Sequence, residues 1–517
     1  MGIKSIFIRV DASLEIGTGH VMRCLTLADA LRLQGDKCTF ICREHKGSLI
    51  GLIEDRGYTV IRLSAKLEKT LSDQEDSLDH SGWLGTSQIE DATETNLKLC
   101  SESVDWIVVD HYALDCNWEG QLNPICKKMI AIDDLADRKH LCDLLIDQTL
   151  GRQSQDYKAL VPEHCRILVG VPYALLRPEF AAVRRQALTR PIPTSPVRVL
   201  VSMGGFDQSN ATLAVLKVLI KIPKILIQVL LSSQSAHYSS VVSFCQQHWN
   251  ISHNDFSDNM TELILNSDIA IGGAGATSWE RACLGLPCVA IVLADNQAKV
   301  SKELNLRGAV AVVELEHLAS SLMNAFSLIM SGWKSYHAAN LTICDGLGVN
   351  RVLIELNRLS QLNQGRGSNC QLLPASEKDI EIVYKWQHQP LIRLYALTPD
   401  IPSWNDHYLW MKEKITSSKD FFYIATAIET EEKLGVVRLD YVEDNRYIVS
   451  IYTEPARHGE GVALSSLNML DKLFPDIYIM ATVLVDNKAS QRLFERAGYQ
   501  RIDSESFVRN PVFCGIS

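Results

Sequence analysis

The chain has 517 residues, 46% of them hydrophobic and 22% charged, with a formal net charge of −10. That length exceeds one ordinary core and predicts two to four domains. The acidic balance excludes a general nucleic-acid binder, which needs a basic footprint, but leaves room for phosphate held by backbone amides and one or two basic side chains. The 14 cysteines are scattered, with no C-x-x-C and no paired Cys/His spacing, so buried reduced thiols and no metal site are expected. No basic stretch and long apolar run open the sequence, and no segment reaches the apolar length of a membrane span. A cytoplasmic protein without nucleic-acid or membrane partners is the expectation.

The first part alternates short apolar runs with amphipathic stretches. Ile6–Val10, Cys38–Cys42, Trp106–Asp110, Met129–Ile132 and Leu144–Ile146 read as buried strands, and Val21–Leu33 reads as a helix ending at Gly35. Such alternation predicts a parallel sheet covered on both faces. The pattern restarts after the proline-rich break Pro191–Pro196. The strand Val197–Ser202 opens into Met203–Gly205, followed by the helix Asn210–Leu219, the strand Ile225–Leu231 and the helix Tyr238–Gln247. Ile269–Ile271 runs into G-G-A-G at Gly272–Gly275, and Cys288–Leu293 is a further strand. The expected class is α/β, with two Rossmann-like domains, 1–190 and 191–360, enclosing a cleft. Ligands of such sheets bind outside the carboxyl ends of the strands, where both glycine loops sit. Residues 361–370 are polar and aperiodic and read as a linker. A third domain, 371–517, mixes helices with strands at Phe422–Ala427, Gly435–Tyr441 and Tyr447–Tyr452.

The loop G-T-G-H at Gly17–His20 follows the first strand. Its glycines permit a tight turn and close approach of a ligand. His20 falls at a helix start, which disfavours the imidazolium and suits a general base for water. Asp11, at the end of the same strand, is the expected orienting partner. Asp133 and Asp134 are adjacent acids without a further ligand series and read as strand-end or capping residues. His111 and Tyr112 are consecutive, so they are expected on opposite sides if the strand continues.

Arg9–Cys24, V-V-D-H-Y at Val108–Tyr112, I-D-D at Ile132–Asp134, Y-A-L-L-R-P-E-F at Tyr173–Phe180, V-S-M-G-G at Val201–Gly205 and G-G-A-G at Gly272–Gly275 occur in this order. The series resembles the UDP-sugar hydrolases of pseudaminic acid biosynthesis, the PseG family, over roughly residues 3–350. That family has the GT-B fold and is related to the glycosyltransferase MurG. The resemblance implies hydrolysis of UDP-2,4-diacetamido-2,4,6-trideoxy-β-L-altropyranose to UDP and free sugar, with inversion and without a cofactor. It implies that His20 is the base, that Tyr112 lies beside the reacting sugar, and that Arg177 binds ligand.

In the second half, the amides from Ala274 to Thr277, including Gly275 and Ala276, are expected to face a phosphate. Glu280 is placed to accept hydrogen bonds from a ribose diol, and Asn296 and Gln297 to approach the sugar. Gly204 and Gly205 would admit the pyrophosphate closely. Neither loop carries G-x-G-x-x-G or G-x-x-x-x-G-K-[ST], so neither NAD nor an ATPase is inferred.

Near the C-terminus, T-E-P-A-R-H-G-E-G-V-A-L follows a strand, and V-L-V-D-N-K-A-S-Q-R-L-F-E-R-A-G-Y spans Val483–Tyr499. The pair resembles the acetyl-CoA-binding core of GNAT acetyltransferases over about residues 371–510. It implies acetyl-CoA as co-substrate, with His458, Gly459, Gly461 and Ala463 at the CoA pyrophosphate and Asn487 near the pantetheine arm. In two places the sequence departs from that pattern. His458 stands where Arg or Gln is usual, and Phe494 stands where a tyrosine often protonates the departing thiolate. In pseudaminic acid synthesis an N-acetyltransferase acts on the UDP-4-amino sugar just before the hydrolase, which the C-terminal domain would match. Two other readings stay open: a MurG-like glycosyltransferase with an accessory acetyltransferase domain, and a non-catalytic sensor of nucleotide sugar or CoA.

Overall fold

The computed structural model describes residues 3–64, 78–255, 259–293, 295–361, 370–398, 400–428 and 430–512, with Asp295, Asn296 and Gln361 described in backbone only. The chain divides into two compact units, Met1–Val349 and Asn350–Ser517.

The first unit holds two parallel sheets. One comprises β1 (Ser5–Val10), β2 (Lys37–Arg43), β3 (Thr59–Leu63), β4 (Val104–Asp110), β5 (Cys126–Ile132), β6 (Leu144–Asp147) and β7 (Arg166–Val169). Its order is β3-β2-β1-β4-β5-β6-β7. The winding direction reverses between β1 and β4, and such switch points open a crevice at the carboxyl ends of the strands. The second sheet comprises β8 (Val197–Ser202), β9 (Ile225–Leu230), β10 (Ile251–Asn254), β11 (Ile269–Gly273), β12 (Cys288–Val292) and β13 (Val310–Glu314). Its order, β10-β9-β8-β11-β12-β13, puts the reversal between β8 and β11. Both glycine loops, Met203–Gly205 and Gly272–Gly275, lie at the ends of those two strands.

These strands are apolar on both sides because helices cover both faces. Ile8 and Val10 are wholly buried, as are Val201, Ile269, Ile271 and Ile291 in the second sheet. The expected strands and helices recur with ends moved by a few residues. The helix expected at Val21–Leu33 begins at Gly19. The sequence reading did not single out β3, β7, β10 or β13.

The second unit has one mixed sheet: β14 (Cys370–Pro374), β15 (Phe421–Ala427), β16 (Lys433–Glu443), β17 (Arg446–Thr453), β18 (Tyr478–Thr482), β19 (Gln500–Arg501) and β20 (Ser506–Arg509). Its order is β14-β15-β16-β17-β18-β20-β19. Neighbours are antiparallel except β17 and β18, which pair in parallel only from Arg446–Ile448 to Tyr478–Met480. Beyond Ile448 the two strands carry no mutual pairing, so their backbone groups are open to another partner.

Residues 362–369 of the expected linker lie outside the described residues. The helix Gly348–Gln361 precedes them. Within the second unit its Asn350 amide donates to the Leu473 carbonyl at 3.3 Å, and the Arg351 guanidinium lies 6.0 Å from the Tyr423 ring. Among the described residues no helix is long and apolar enough to cross a membrane. The described cysteines are free thiols, most of them buried.

Candidate functional site

The strand register of the first sheet decides which carboxylate His20 meets. β1 and β4 pair with Val10 opposite Asp110. Side chains alternate along a strand, so Val10 and Asp110 share the face covered by the helix Gly19–Leu33. Arg9 and Asp11 share the other. His20 Nδ1 accordingly lies 2.6 Å from Asp110 Oδ1. Arg23, one turn further along the helix, forks onto the same carboxylate, with Nε to Oδ2 at 2.6 Å and Nη2 to Oδ1 at 2.7 Å. Its third nitrogen, Nη1, donates to Asp134, and the Tyr112 hydroxyl donates to Asp134 Oδ2 at 3.0 Å.

Asp11 is therefore not the orienting partner expected of it. It pairs with Arg9 at 2.7 Å and accepts the Arg43 amide at 2.7 Å. His45 and His111 approach its other oxygen at 3.5 and 3.4 Å. Arg9 in turn grips Asp91 of the helix Gln88–Leu99. This buried ionic network lies on the sheet face opposite His20. His111 faces it, while Tyr112 turns toward His20, as their adjacency predicts.

The Asp110 carboxyl is wholly buried. Burial alone would raise it, but the Arg23 guanidinium and His20 outweigh that and hold it well below the usual carboxylate range. An ionised carboxylate only accepts hydrogen bonds, so the proton between the two groups sits on His20 Nδ1, and in the neutral imidazole Nε2 is the nitrogen that carries the lone pair. A carboxylate thus orients the imidazole, an arrangement that hydrolytic sites use.

The loops of the two halves meet. Gly17 has φ +84°, a turn that favours glycine. A Cβ on Gly205 would stand 3.2 Å from Thr18 Cγ2, so the absence of a side chain is what lets these loops approach. Between them lies a cavity of about 480 Å³ lined by Gly17, Gly204, Gly205, Asp207 and Gln297 among others. His20 and Tyr112 are not in its lining. They follow Gly17 and β4 at the adjoining switch point.

On the second half, Gly275 and Ala276 are exposed ahead of the helix Thr277–Cys283, whose Ser278 and Trp279 amides donate to the Gly275 and Ala276 carbonyls at 2.9 and 3.1 Å. Gln297 reaches the cavity and also binds the backbone beside it. Its Oε1 accepts the Ala274 and Leu293 amides at 3.2 and 3.4 Å, so it braces the glycine loop while also lining the cavity. The side chain of Asn296 lies outside the described residues. Arg177 pairs with Glu179 at 3.0 Å and acts electrostatically on Glu280. The Glu280 carboxyl is pushed up to about 7 by burial, with Arg177 opposing the shift, and its Oε2 has no hydrogen-bond partner. Asp133 caps the Leu135 and Ala136 amides at 3.3 and 2.9 Å, the strand-end role expected. Among the described residues no cluster of His, Cys, Asp or Glu is suited to a metal ion.

In the second unit, a cavity of about 600 Å³ spans the gap between β17 and β18. Its wall includes Ser450, Tyr452, Thr482, Leu484, Asn487 and Phe494. Gly459 and Gly461 have φ of +87° and +82°, and Gly461 precedes the helix Val462–Leu473. His458 is exposed, with Nε2 3.3 Å from the Thr453 carbonyl. Ala463 is half-buried in the first turn of that helix. Asn487 caps the helix Lys488–Arg496 through the Ser490 amide at 3.1 Å and lines the cavity. Phe494 packs edge-on against Tyr499, with centroids 5.0 Å apart.

The sequence reading did not single out Asp110, Arg23 and Asp134 as parts of this site. Arg23 carried a signal, because i and i+3 share a helix face. Asp110 and Asp134 needed the strand register.

Residues 199–341 match the glycosyltransferase family 28 C-terminal domain, and residues 370–500 match the acetyltransferase (GNAT) domain. The chain is similar over 508 residues, at 23% identity and 96% of both chains, to the uncharacterised protein MJ1062 of Methanocaldococcus jannaschii. Over 305 residues it is 26% identical to the UDP-2,4-diacetamido-2,4,6-trideoxy-β-L-altropyranose hydrolase of Campylobacter jejuni, covering 59% of this chain and 97% of that one. Among solved structures, MurG of Acinetobacter baumannii aligns with a TM-score of 0.44 at 13% identity, covering 65% of this chain and 93% of that one.

Proposed function

We propose that this chain, a PseG-like and MurG-like nucleotide-sugar unit fused to a GNAT acetyltransferase domain, carries out two steps on one sugar nucleotide. The second unit transfers acetyl from acetyl-CoA to the 4-amino group of a UDP-amino sugar. The first unit then hydrolyses UDP-2,4-diacetamido-2,4,6-trideoxy-β-L-altropyranose to UDP and the free sugar, with inversion. The observation that carries the hydrolase reading is the Asp110-locked imidazole of His20 at one switch point, with the glycine loops of the other sheet at the second.

UDP is a good leaving group once its charge is met by the amides of the glycine loops and by Arg177. As the anomeric C–O bond stretches, the sugar carbon gains oxocarbenium character. A water on the opposite face loses its proton to His20 Nε2 and attacks there, which inverts the centre. Nδ1 keeps its proton against Asp110 throughout, and Arg23 and Tyr112 hold Asp110 and Asp134 in place. Glu280 accepts the ribose hydroxyls. Its carboxyl is pushed up to about 7 by burial, and the ionised form accepts at both oxygens where the protonated form turns one of them into a donor. UDP affinity therefore rises severalfold as pH passes from about 6 to about 8, and Glu280→Gln abolishes that dependence. Calorimetric titration of UDP at the two pH values checks this.

In the second unit, the edge of β17 that no longer pairs with β18 beyond Ile448 offers backbone groups to the pantetheine arm, and the turn at Gly459–Gly461 offers amides to the pyrophosphate. Acetyl transfer from the thioester to an amine leaves a thiolate that must be protonated, and Phe494 has no proton to give. Phe494→Tyr is expected to raise kcat for acetyl transfer about 10-fold, below the usual range for a well-placed general acid, with KM for acetyl-CoA unchanged. Thiol release with a UDP-4-amino sugar measures it. No change in kcat would show that solvent already supplies the proton.

A further inference from the structure

The family resemblance points to Tyr112 as the ring beside the sugar, yet its side chain is closed in. Tyr112 is only 6% exposed. Its hydroxyl is donated to Asp134, its edge meets the His20 ring at 4.6 Å, and the Arg138 guanidinium lies 5.6 Å from its centroid. Two residues that the motifs do not include pack on the Tyr112 ring, which itself meets His20. Trp83 stacks on Tyr112, with centroids 5.7 Å apart and planes 24° from parallel. His80 lies 4.4 Å from Trp83 and 5.4 Å from Tyr112. Both are half-buried.

This wall is anchored. Trp83 sits on the single helical turn Ser81–Leu84, and Leu84 is wholly buried in the core of the first sheet. Just beyond, Gln88 Oε1 accepts the Asp115 amide at 3.0 Å, which ties this segment to the N-cap of the helix Cys116–Leu122 that follows β4. A rigid ring presents apolar area at little entropic cost. Its face suits C–H bonds and methyl groups and offers hydroxyls no hydrogen bond in exchange for water.

We propose that Trp83, backed by His80 and Tyr112, is the specificity wall of the hydrolase, taking the methyl-bearing face of a deoxy, N-acylated sugar. This rests on the hydrolase reading of the same site. It adds that the sugar is selected by apolar contact from a segment outside the nucleotide half. UDP itself does not reach the wall, so its affinity is independent of Trp83.

The test is calorimetry in a His20→Asn background, where the intact UDP-diacetamido sugar persists long enough to bind. Trp83→Ala is expected to weaken that sugar nucleotide about 10-fold, the scale of one lost aromatic contact, and to leave UDP unchanged. Trp83→Phe is expected to recover most of the loss. Equal affinity of Trp83→Ala and its parent for the sugar nucleotide would overturn the proposal. So would a parallel loss of UDP binding, which would make Trp83 a structural residue. Absence of UDP release by the unsubstituted protein is a separate result, and it would remove the hydrolase reading rather than the binding role of Trp83.

Discussion

Replacing His20 by Asn is expected to slow UDP release from the diacetamido sugar nucleotide by about 10²–10⁴-fold, the contribution typical of a positioned general base. Asn preserves the hydrogen bond to Asp110 but has no lone pair where Nε2 stood. UDP binding should survive, because the glycine loops and Glu280 of the second half are untouched. The loss should fall on kcat, since the water's proton is transferred only as the glycosidic bond breaks. Single-turnover kinetics with quantified UDP checks this. Near-normal turnover would remove His20 from the mechanism.

Replacing Asp110 by Ala has a different signature, because it strikes stability as well as rate. Asp110 is wholly buried between His20 and the Arg23 fork. Removing it leaves a buried guanidinium with only Asp134 as a carboxylate partner. Breaking a buried pair in this way costs about 3–5 kcal/mol, so the thermal unfolding temperature of the first unit should fall. The pH dependence follows from the direction of the shift. Because the folded state holds Asp110 below its unfolded value, its stabilisation is complete above the ordinary carboxylate range. It is lost as pH falls through the folded value. The unsubstituted protein should therefore lose this contribution in acid, and the variant should lack it at neutral pH. Asp110→Asn separates the two effects: it keeps the shape but allows the amide to donate to the imidazole. His20 then holds the wrong tautomer, and turnover falls even where the fold is kept. Calorimetric unfolding alongside UDP release distinguishes the variants.

Much of the architecture was legible because strand–helix alternation and glycine turns are local signals. The runs at Ile6–Val10 and Val197–Ser202, each followed by a glycine loop, placed those loops at the carboxyl ends of strands before any pairing was known. His20 was legible for the same reason: a histidine after G-T-G at a strand end has few other positions to occupy. Its partner was not. Asp11 is close in sequence, but alternation turns it to the far side of the sheet. Asp110 is 90 residues away and becomes a neighbour only through the β1–β4 register. Gln297 was read from its place at a helix start, yet its amide serves the loop backbone, a contact set by how β11 and β12 pack. Trp83 was invisible because it follows no motif, and its meaning comes from stacking on Tyr112. In the second unit, the gap between β17 and β18 depends on where pairing stops, which no single strand records.

Incubation of the full chain with UDP-2,4-diacetamido-2,4,6-trideoxy-β-L-altropyranose in ¹⁸O-water, with no acceptor added, separates hydrolysis from transfer and from simple binding. The expected result is stoichiometric UDP and free sugar, with the label on the sugar's anomeric oxygen and none on UDP. Label on the phosphate would contradict attack at the anomeric carbon, and tight binding without turnover would indicate a sensor. Release of UDP only after a sugar acceptor is supplied would make the first unit a glycosyltransferase.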